Sequence, residues 1–331
     1  MTISLSRARL VELLEQARGK RIVVIGDAML DVYLSGDVER ISPEAPVPVV
    51  RVRERKYALG GAANVAQNVV AIGARCSLVA AIGDDRAGET LGQMLGAIGE
   101  DGRALVKVER PTTQKTRIVA RSQQLVRVDE EEDADLAGAE VERLLAAVRT
   151  AVRDAHAVIL EDYNKGVLVP AVIREAIDLA VAKGIPVVVD PKFKNFFAYR
   201  GATVFKPNRR ELEAALGAAM DVDHPDAVPA TLQRLGVEQI LLTLGDRGMA
   251  LFSATGEISR IPTVAREVYD VVGAGDTVTA YVASILAAGG SARDAATIAN
   301  VAAGIEVGKL GAATVSAAEV TEYVDTHELH R

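Results

Sequence analysis

Short apolar runs rich in Val and Ile recur along the chain, with helical patterns between them. Residues 21–25, 77–82, 157–160, 185–190 and 239–244 read as strands, and residues 62–72, 170–182, 274–288 and 292–307 as helices. Strands alternating with helices of this length predict an α/β fold, a mostly parallel sheet with helices on both faces. Sheets of that kind bind ligands beyond the carboxyl ends of their strands. Here Gly26-Asp27, Glu161-Asp162, Asp190-Pro191 and Leu244-Gly245-Asp246 each follow an apolar run directly. Polar groups from distant segments are therefore expected to converge on one edge of the sheet.

Two stretches break the rhythm. Residues 32–59 contain Pro43, Pro46 and Pro48, and 47–52 read as an extended edge segment. Residues 105–128 end in a strongly alternating run over 116–128. Neither fits the central layer, and together they are expected to form a small β lid on a single domain covering 1–331. Two unconnected surface hairpins would satisfy the same pattern. A lid suits a site whose chemistry must exclude water. Open strand edges and apolar faces on such a lid would be covered if two lids paired in a symmetric homodimer. The acidic run at 129–133 reads as a solvated loop.

Composition excludes several classes. A formal net charge of −7 over 331 residues argues against general binding to nucleic acid or anionic membranes, but not against a small phosphorylated substrate. Cys76 is the only cysteine, so no internal disulfide forms and a reducing cytoplasm is expected. No apolar run approaches the ~18 residues of a membrane span. His327 and His330 are one residue short of zinc-protease spacing, and a metal role there is not expected.

The chemistry concentrates in Asp270-Val271-Val272-Gly273-Ala274-Gly275-Asp276-Thr277. A Gly-Ala-Gly turn opening a helix aims backbone N–H groups at one spot, and the helix dipole adds partial positive charge there. Such a nest suits the charge on a phosphoryl group in transfer. Asp276, on the first turn, can accept the proton of an attacking hydroxyl beside it. Taken alone, the segment also reads as a helix start whose Asp merely complements the dipole. It is not a dinucleotide fingerprint, since Val278 stands where a third glycine or alanine belongs, and Gly304…Gly308-Lys309-Leu310 has the wrong spacing for a Walker loop. Gly60-Gly61-Ala62-Ala63-Asn64 lets a ligand approach the backbone, and Asn64 can bond a hydroxyl. Asn208 and Glu211 have capping-box spacing, so a structural role there competes with a functional one. Thr243-Leu244-Gly245-Asp246-Arg247-Gly248 reads as a strand end with a glycine turn that could hold nucleotide phosphates.

Taken in order, these elements resemble the ribokinase-like, or PfkB, carbohydrate kinases over nearly the whole chain. The resemblance implies a ribokinase-like fold with a β lid, ATP as phosphoryl donor, and Asp276 as base with Gly273, Ala274 and Gly275 as anion hole. It implies that Asn208 and Glu211 organise Mg²⁺ through water. Thr243, Gly245 and Gly248 would contact the nucleotide, and Asn300 is placed with them. Asp31, Gly60, Gly61, Asn64 and Asp162 would hold the sugar. Many such kinases bind K⁺ through backbone carbonyls, here at Asp270 and Val272 and in the 308–314 loop.

A narrower resemblance, to bacterial D-glycero-β-D-manno-heptose 7-phosphate kinases, rests on four segments. They are the lid segment at 40–50, Gly26-Asp27-Ala28-Met29-Leu30-Asp31, Asp162-Tyr163-Asn164-Lys165-Gly166 and Val189-Asp190-Pro191-Lys192. It implies phosphorylation of the anomeric hydroxyl of heptose 7-phosphate on the way to ADP-heptose and lipopolysaccharide core. The substrate's own phosphate then needs cations, for which Arg117, Arg121, Lys165, Lys192 and Lys194 are candidates. Members of that family often carry a fused nucleotidyltransferase half with a His-x-Gly-His motif. This sequence lacks the motif, and the stand-alone kinase form is expected. Rival expectations are a kinase of another sugar or nucleoside, and a non-catalytic binding protein that keeps the fold.

Overall fold

The computed structural model describes residues 5–100, 102–121, 123–220, 228–265 and 268–326; His327 and His330 lie outside them. In chain order the strands are β1 (Arg21–Gly26), β2 (Ala28–Ile41), β3 (Pro48–Gly61), β4 (Arg75–Gly83), β5 (Leu105–Val108), β6 (Gln114–Ala120), β7 (Gln123–Glu130), β8 (Ala157–Glu161), β9 (Val187–Asp190), β10 (Val204–Phe205), β11 (Gln239–Thr243), β12 (Met249–Ser253) and β13 (Ile258–Ile261). Among the described residues, nine of them form one sheet in the order β13-β12-β11-β10-β9-β8-β1-β4-β5. Pairing is parallel from β11 to β5, and β12 and β13 turn back antiparallel at one edge. β1 and β8 are apolar on both faces because helices cover both faces, which is why they read as unbroken apolar runs.

One face packs Ile22, Val24, Ile159, Val188 and Val204 against helices Ala62–Ala71, Ala274–Ala287 and Ala292–Glu306. The other packs Val23, Ile25, Val158, Leu160, Val189 and Phe205 against helices Gly138–Val152 and Pro170–Lys183. Among the described residues, no helix is long and apolar enough to cross a membrane.

The second sheet has the order β3-β2-β6-β7, with β3 and β7 as its open edges. The proline-bounded stretch supplies β3, as the edge reading expects: Pro48, with no N–H to donate to a ladder, opens an edge strand. The lid was expected to draw on residues from 105 onward, and here the structure differs. β5 pairs parallel with β4 in the large sheet, where Val106 and Val108 are buried. Its inward apolar pair finds cover beside β4, and the small sheet begins again at Gln114.

Candidate active site

The helix Ala274–Ala287 is capped by Gly273 at φ 97°, a left-handed conformation that favours glycine. A Cβ at Gly273 would lie 3.1 Å from Asn64 Nδ2 and 3.2 Å from Glu306 Oε1, so the turn is closed by its neighbours as well as by its torsion. Thr277 N–H donates to Gly273 O at 2.9 Å. The amides of Gly275 and Asp276 are first-turn groups that the helix itself leaves unsatisfied.

Asp276 is buried at the start of this helix and accepts two hydrogen bonds. Asn64 Nδ2 donates to one oxygen at 2.7 Å and the Tyr163 hydroxyl to the other at 2.9 Å. Burial pushes its carboxyl up to about 6, against the bond from Asn64 and with the charge of Asp190; Tyr163 and Lys206 pull it back. A carboxylate poised there is ionised near neutrality and still basic enough to take a proton.

Strand register assembles the floor of the site. Glu161 of β8 aligns with Asp190 of β9, and Lys206, which follows β10, stands level with Asp190. Residues in register on adjacent strands point to the same face, here the face covered by helix Ala274–Ala287. Lys206 Nζ reaches Asp190 Oδ2 at 2.7 Å, both buried. One ligand oxygen each from Glu161, Asp190 and Asp276 lie within 4.8 Å of one another.

Two cavities meet at the helix start. One, of about 220 Å³, is lined by Asp31, Gly60, Gly61, Asn64, Lys115, Arg117, Arg127, Tyr163, Val272, Gly273 and Asp276, so the small sheet forms much of its wall. The other, of about 380 Å³, is lined by Asn208, Thr243, Gly245, Gly248, Val271, Ala274, Gly275 and Asn300 among others. Gly273 and Asp276 thus face the first cavity and Ala274 and Gly275 the second. The turn is the partition between them.

Most residues singled out in the sequence gather here, and some do not. Asp162 is buried away from both cavities, accepting from Tyr199 Oη at 2.7 Å and from Asn164 N at 2.8 Å. Alternation along the chain turns it from the face that Glu161 occupies. Arg121 lies beyond the end of β6, four residues past Arg117, roughly 13 Å at strand rise. Lys165 and Lys194 spend their charges on Glu131 and Asp135 at 2.7 and 2.8 Å. Lys192 pairs with Glu211 at 2.6 Å and lies over the Tyr163 ring, and it does not line the smaller cavity. Arg117 lines that cavity and holds Asp31 at 2.6 Å.

Sequence reasoning passed over Lys115, Arg127, Tyr163, Lys206 and Glu306. Tyr163 directly follows Asp162, inside a segment already singled out, whereas Lys206 lies two residues before Asn208 and outside any such segment. Lys115 and Arg117 share a face of β6 by alternation, which the period-2 pattern could have revealed. Glu306 is fully buried beneath Gly273, and its oxygens have no hydrogen-bond partner. Burial, then the charges of Asp270 and Asp276, push its carboxyl up to about 8, and Lys309 opposes them.

Residues 20–319 match the family profile described as pfkB family carbohydrate kinase. The chain is 45% identical over 323 residues to the Bifunctional protein HldE of Rhodospirillum rubrum, which covers 97% of this chain and 65% of that protein. It is 47% identical over 307 residues to the Bifunctional protein HldE of Caulobacter vibrioides, covering 92% and 63%. It therefore spans about two thirds of the length of these curated relatives. Its fold is similar to that of Arabidopsis thaliana ribokinase complexed with ribose and ATP, at TM-score 0.71 and 21% identity over 92% of this chain and 98% of that one. It is similar in the same way to Escherichia coli phosphofructokinase-2 in complex with potassium, at TM-score 0.75 and 18% identity over 95% and 100%.

Proposed function

Because the chain belongs to the pfkB family of carbohydrate kinases, we propose that this sugar kinase transfers the γ-phosphoryl of ATP to the anomeric O1 of D-glycero-β-D-manno-heptose 7-phosphate. The product is heptose 1,7-bisphosphate, a precursor for ADP-heptose and lipopolysaccharide core. One observation carries the reading: the Gly273–Asp276 turn separates two cavities and shows the base to one and the anion hole to the other. A sugar in the smaller cavity presents O1 to Asp276, with Asn64, Asp31 and the Gly60–Gly61 backbone around its hydroxyls. Asp276 takes the proton as O1 attacks. The first-turn amides stabilise the negative charge on the group in flight, in place of water. The phosphate tail lies along Thr243, Gly245, Gly248 and Asn208. The test is the product mass after incubation of heptose 7-phosphate with Mg-ATP: gain of one phosphoryl group is expected, and an unchanged sugar overturns the reading.

Asn208 and Glu211 suit Mg²⁺ held through water. The Glu211 carboxylate accepts from Asn208 N at 2.8 Å and from Lys192 at 2.6 Å, which leaves it acceptor capacity without freeing it to move. Bound there, Mg²⁺ supplies charge neutralisation on the nucleotide phosphates.

A monovalent cation has a second place. The Asp270 carboxylate accepts from Val272 N at 3.0 Å and from Gly311 N at 3.2 Å, which ties the 270–272 and 308–314 loops together beside the anion hole. The carbonyls of Asp270, Val272 and the 308–314 loop are the ligands proposed for K⁺. Potassium should activate more than sodium or lithium at equal ionic strength, and equal rates in the three salts would remove this cation from the scheme.

The small sheet also proposes an assembly. Its edge strands expose Val52, Val126 and Val128, each nearly half accessible, and both edges carry unpaired backbone groups. Two lids packed about a two-fold axis cover both features. Light scattering at micromolar concentration should return about twice the 34.9 kDa chain mass; a monomer mass rejects the arrangement.

A further inference from the structure

The two donors on Asp276 are not equivalent. Asn64 Nδ2 reaches Oδ2 at 2.7 Å, and an amide nitrogen has hydrogens to give and no lone pair to offer. Its orientation is fixed from behind. Asn68 Nδ2 donates to Asn64 O at 3.0 Å and to Asn64 Oδ1 at 3.4 Å, and the Thr277 hydroxyl donates to Asn68 Oδ1 at 3.2 Å. Tyr163 Oη reaches Asp276 Oδ1 at 2.9 Å, and a hydroxyl both donates and accepts. Tyr163 is held as firmly. Its N–H donates to Asp27 Oδ2 at 2.8 Å, and Lys192 Nζ lies 5.4 Å from its ring centroid. Burial, then the charge of Asp276, push the phenol well above its usual range, so it keeps its proton around neutrality.

The difference matters once the carboxylate takes a proton, because the new O–H needs an acceptor. At Oδ2 it would meet an N–H that cannot accept. At Oδ1 it meets a hydroxyl that can turn, accept it and swing its own hydrogen into the sugar cavity, which Tyr163 lines. We propose that Tyr163 is the positioning residue of the base: it holds Asp276 Oδ1 for the acceptor hydroxyl and, by reversing from donor to acceptor, receives the hydrogen bond of the carboxyl formed there. The O1–H bond breaks and Oδ1–H forms, while O1–P forms and the bond from phosphorus to the β-phosphate oxygen breaks. Tyr163 keeps its own proton throughout. The inference rests on the reading of Asp276 as the base.

Tyr163→Phe keeps the ring and removes the hydroxyl, and two changes are expected together with heptose 7-phosphate and Mg-ATP. The plateau kcat should fall roughly tenfold or more, the equivalent of one hydrogen bond to a charged group, with both KM values within about threefold of wild type. The acid limb of the rate should move up by about one pH unit, because a donor that favoured the ionised carboxylate is gone. The other groups facing Asp276, which are Asn64, Glu161, Asp190, Lys206 and Glu306, are the same in both proteins. A ring that only packed would leave the limb in place. A second readout needs no substrate. Difference infrared spectroscopy of the protonated-carboxyl stretch, with Asp276→Asn as blank, should place the Asp276 titration about one unit higher in Tyr163→Phe. Thermal melting verifies folding, and Tyr163→Leu is the second variant should Phe misfold. An unmoved limb, an unmoved carboxyl titration, or a plateau kcat within about threefold of wild type overturns the proposal. A wild-type rate with no acid limb would overturn the base itself, and this role with it. If heptose 7-phosphate is not turned over, the sugar reading fails alone, and the substrate-free titration still decides whether the hydroxyl serves the base.

Discussion

Asp276→Asn should lower kcat by about 100-fold or more while Mg-ATP binding survives, in line with the contribution of a positioned general base. The substitution keeps the shape of the side chain and removes its ability to accept a proton. It leaves the Gly273–Gly275 turn and the nucleotide cavity in place, so the damage falls on turnover and not on nucleotide affinity. The pH profile supplies an independent signature. Burial holds the Asp276 carboxyl up at about 6, and only its ionised form accepts a proton. The wild-type rate should fall as pH drops through about 6, approaching tenfold per unit below it. The residual rate of Asp276→Asn should lack that limb. Thermal melting separates a chemical loss from unfolding. A kcat within about threefold of wild type would remove Asp276 as the base.

Local features carried most of what was legible. The helix start at Gly273, its first-turn carboxylate and the Gly60-Gly61 pair are each encoded within five residues, although neighbours from distant segments also crowd all three glycines. Asn64 could be named as a polar group at a glycine turn. That it would bond Asp276, 212 residues away, depends on how two helices pack on one sheet face. The floor of the site was legible only in part: Glu161 and Asp190 were expected to converge at one sheet edge, but their alignment with each other and with Lys206 was not. Glu161, Asp190 and Lys206 are neighbours only because β8, β9 and β10 pair in one register, and register is a property of the whole sheet.

Where the sequence misled, pleat parity, a strand end and edge pairing were the causes. Glu161 and Asp162 follow one strand together, and pleat parity sends Glu161 to the site and Asp162 to Tyr199. Arg121 is alternation-matched to Arg117 but lies past the end of the strand that would have carried it. Residues 105–108 have the composition of a lid strand, and only the open side of β4 drew them into the large sheet.

The acceptor should carry a phosphate remote from the reacting hydroxyl, and the effect on catalysis is expected to be large. The smaller cavity is acidic at Asp276 and Asp31, yet the small sheet lines it with Lys115, Arg117 and Arg127, in a chain of net charge −7. Arg117 is committed to Asp31, whereas Arg127 is half-exposed and paired with Asp129, at a distance of 2.9 Å, on its own strand. That makes Arg127 the better cation to remove, because its loss strands no buried carboxylate. Each charge-assisted bond to a partly buried phosphate contributes roughly 1.5–3 kcal/mol. A substrate that forgoes two should lose about two to four powers of ten in kcat/KM. Unphosphorylated heptose and ribose should consequently be very poor substrates beside heptose 7-phosphate. Arg127→Met should cost the phosphorylated sugar roughly 10- to 100-fold, the equivalent of one such bond. It should barely change the residual rate on the unphosphorylated sugar. An equal loss on both would mean that Arg127 shapes the lid and does not hold a phosphate. Efficient turnover of free ribose or adenosine would leave the sugar-kinase assignment standing and remove heptose 7-phosphate as the acceptor.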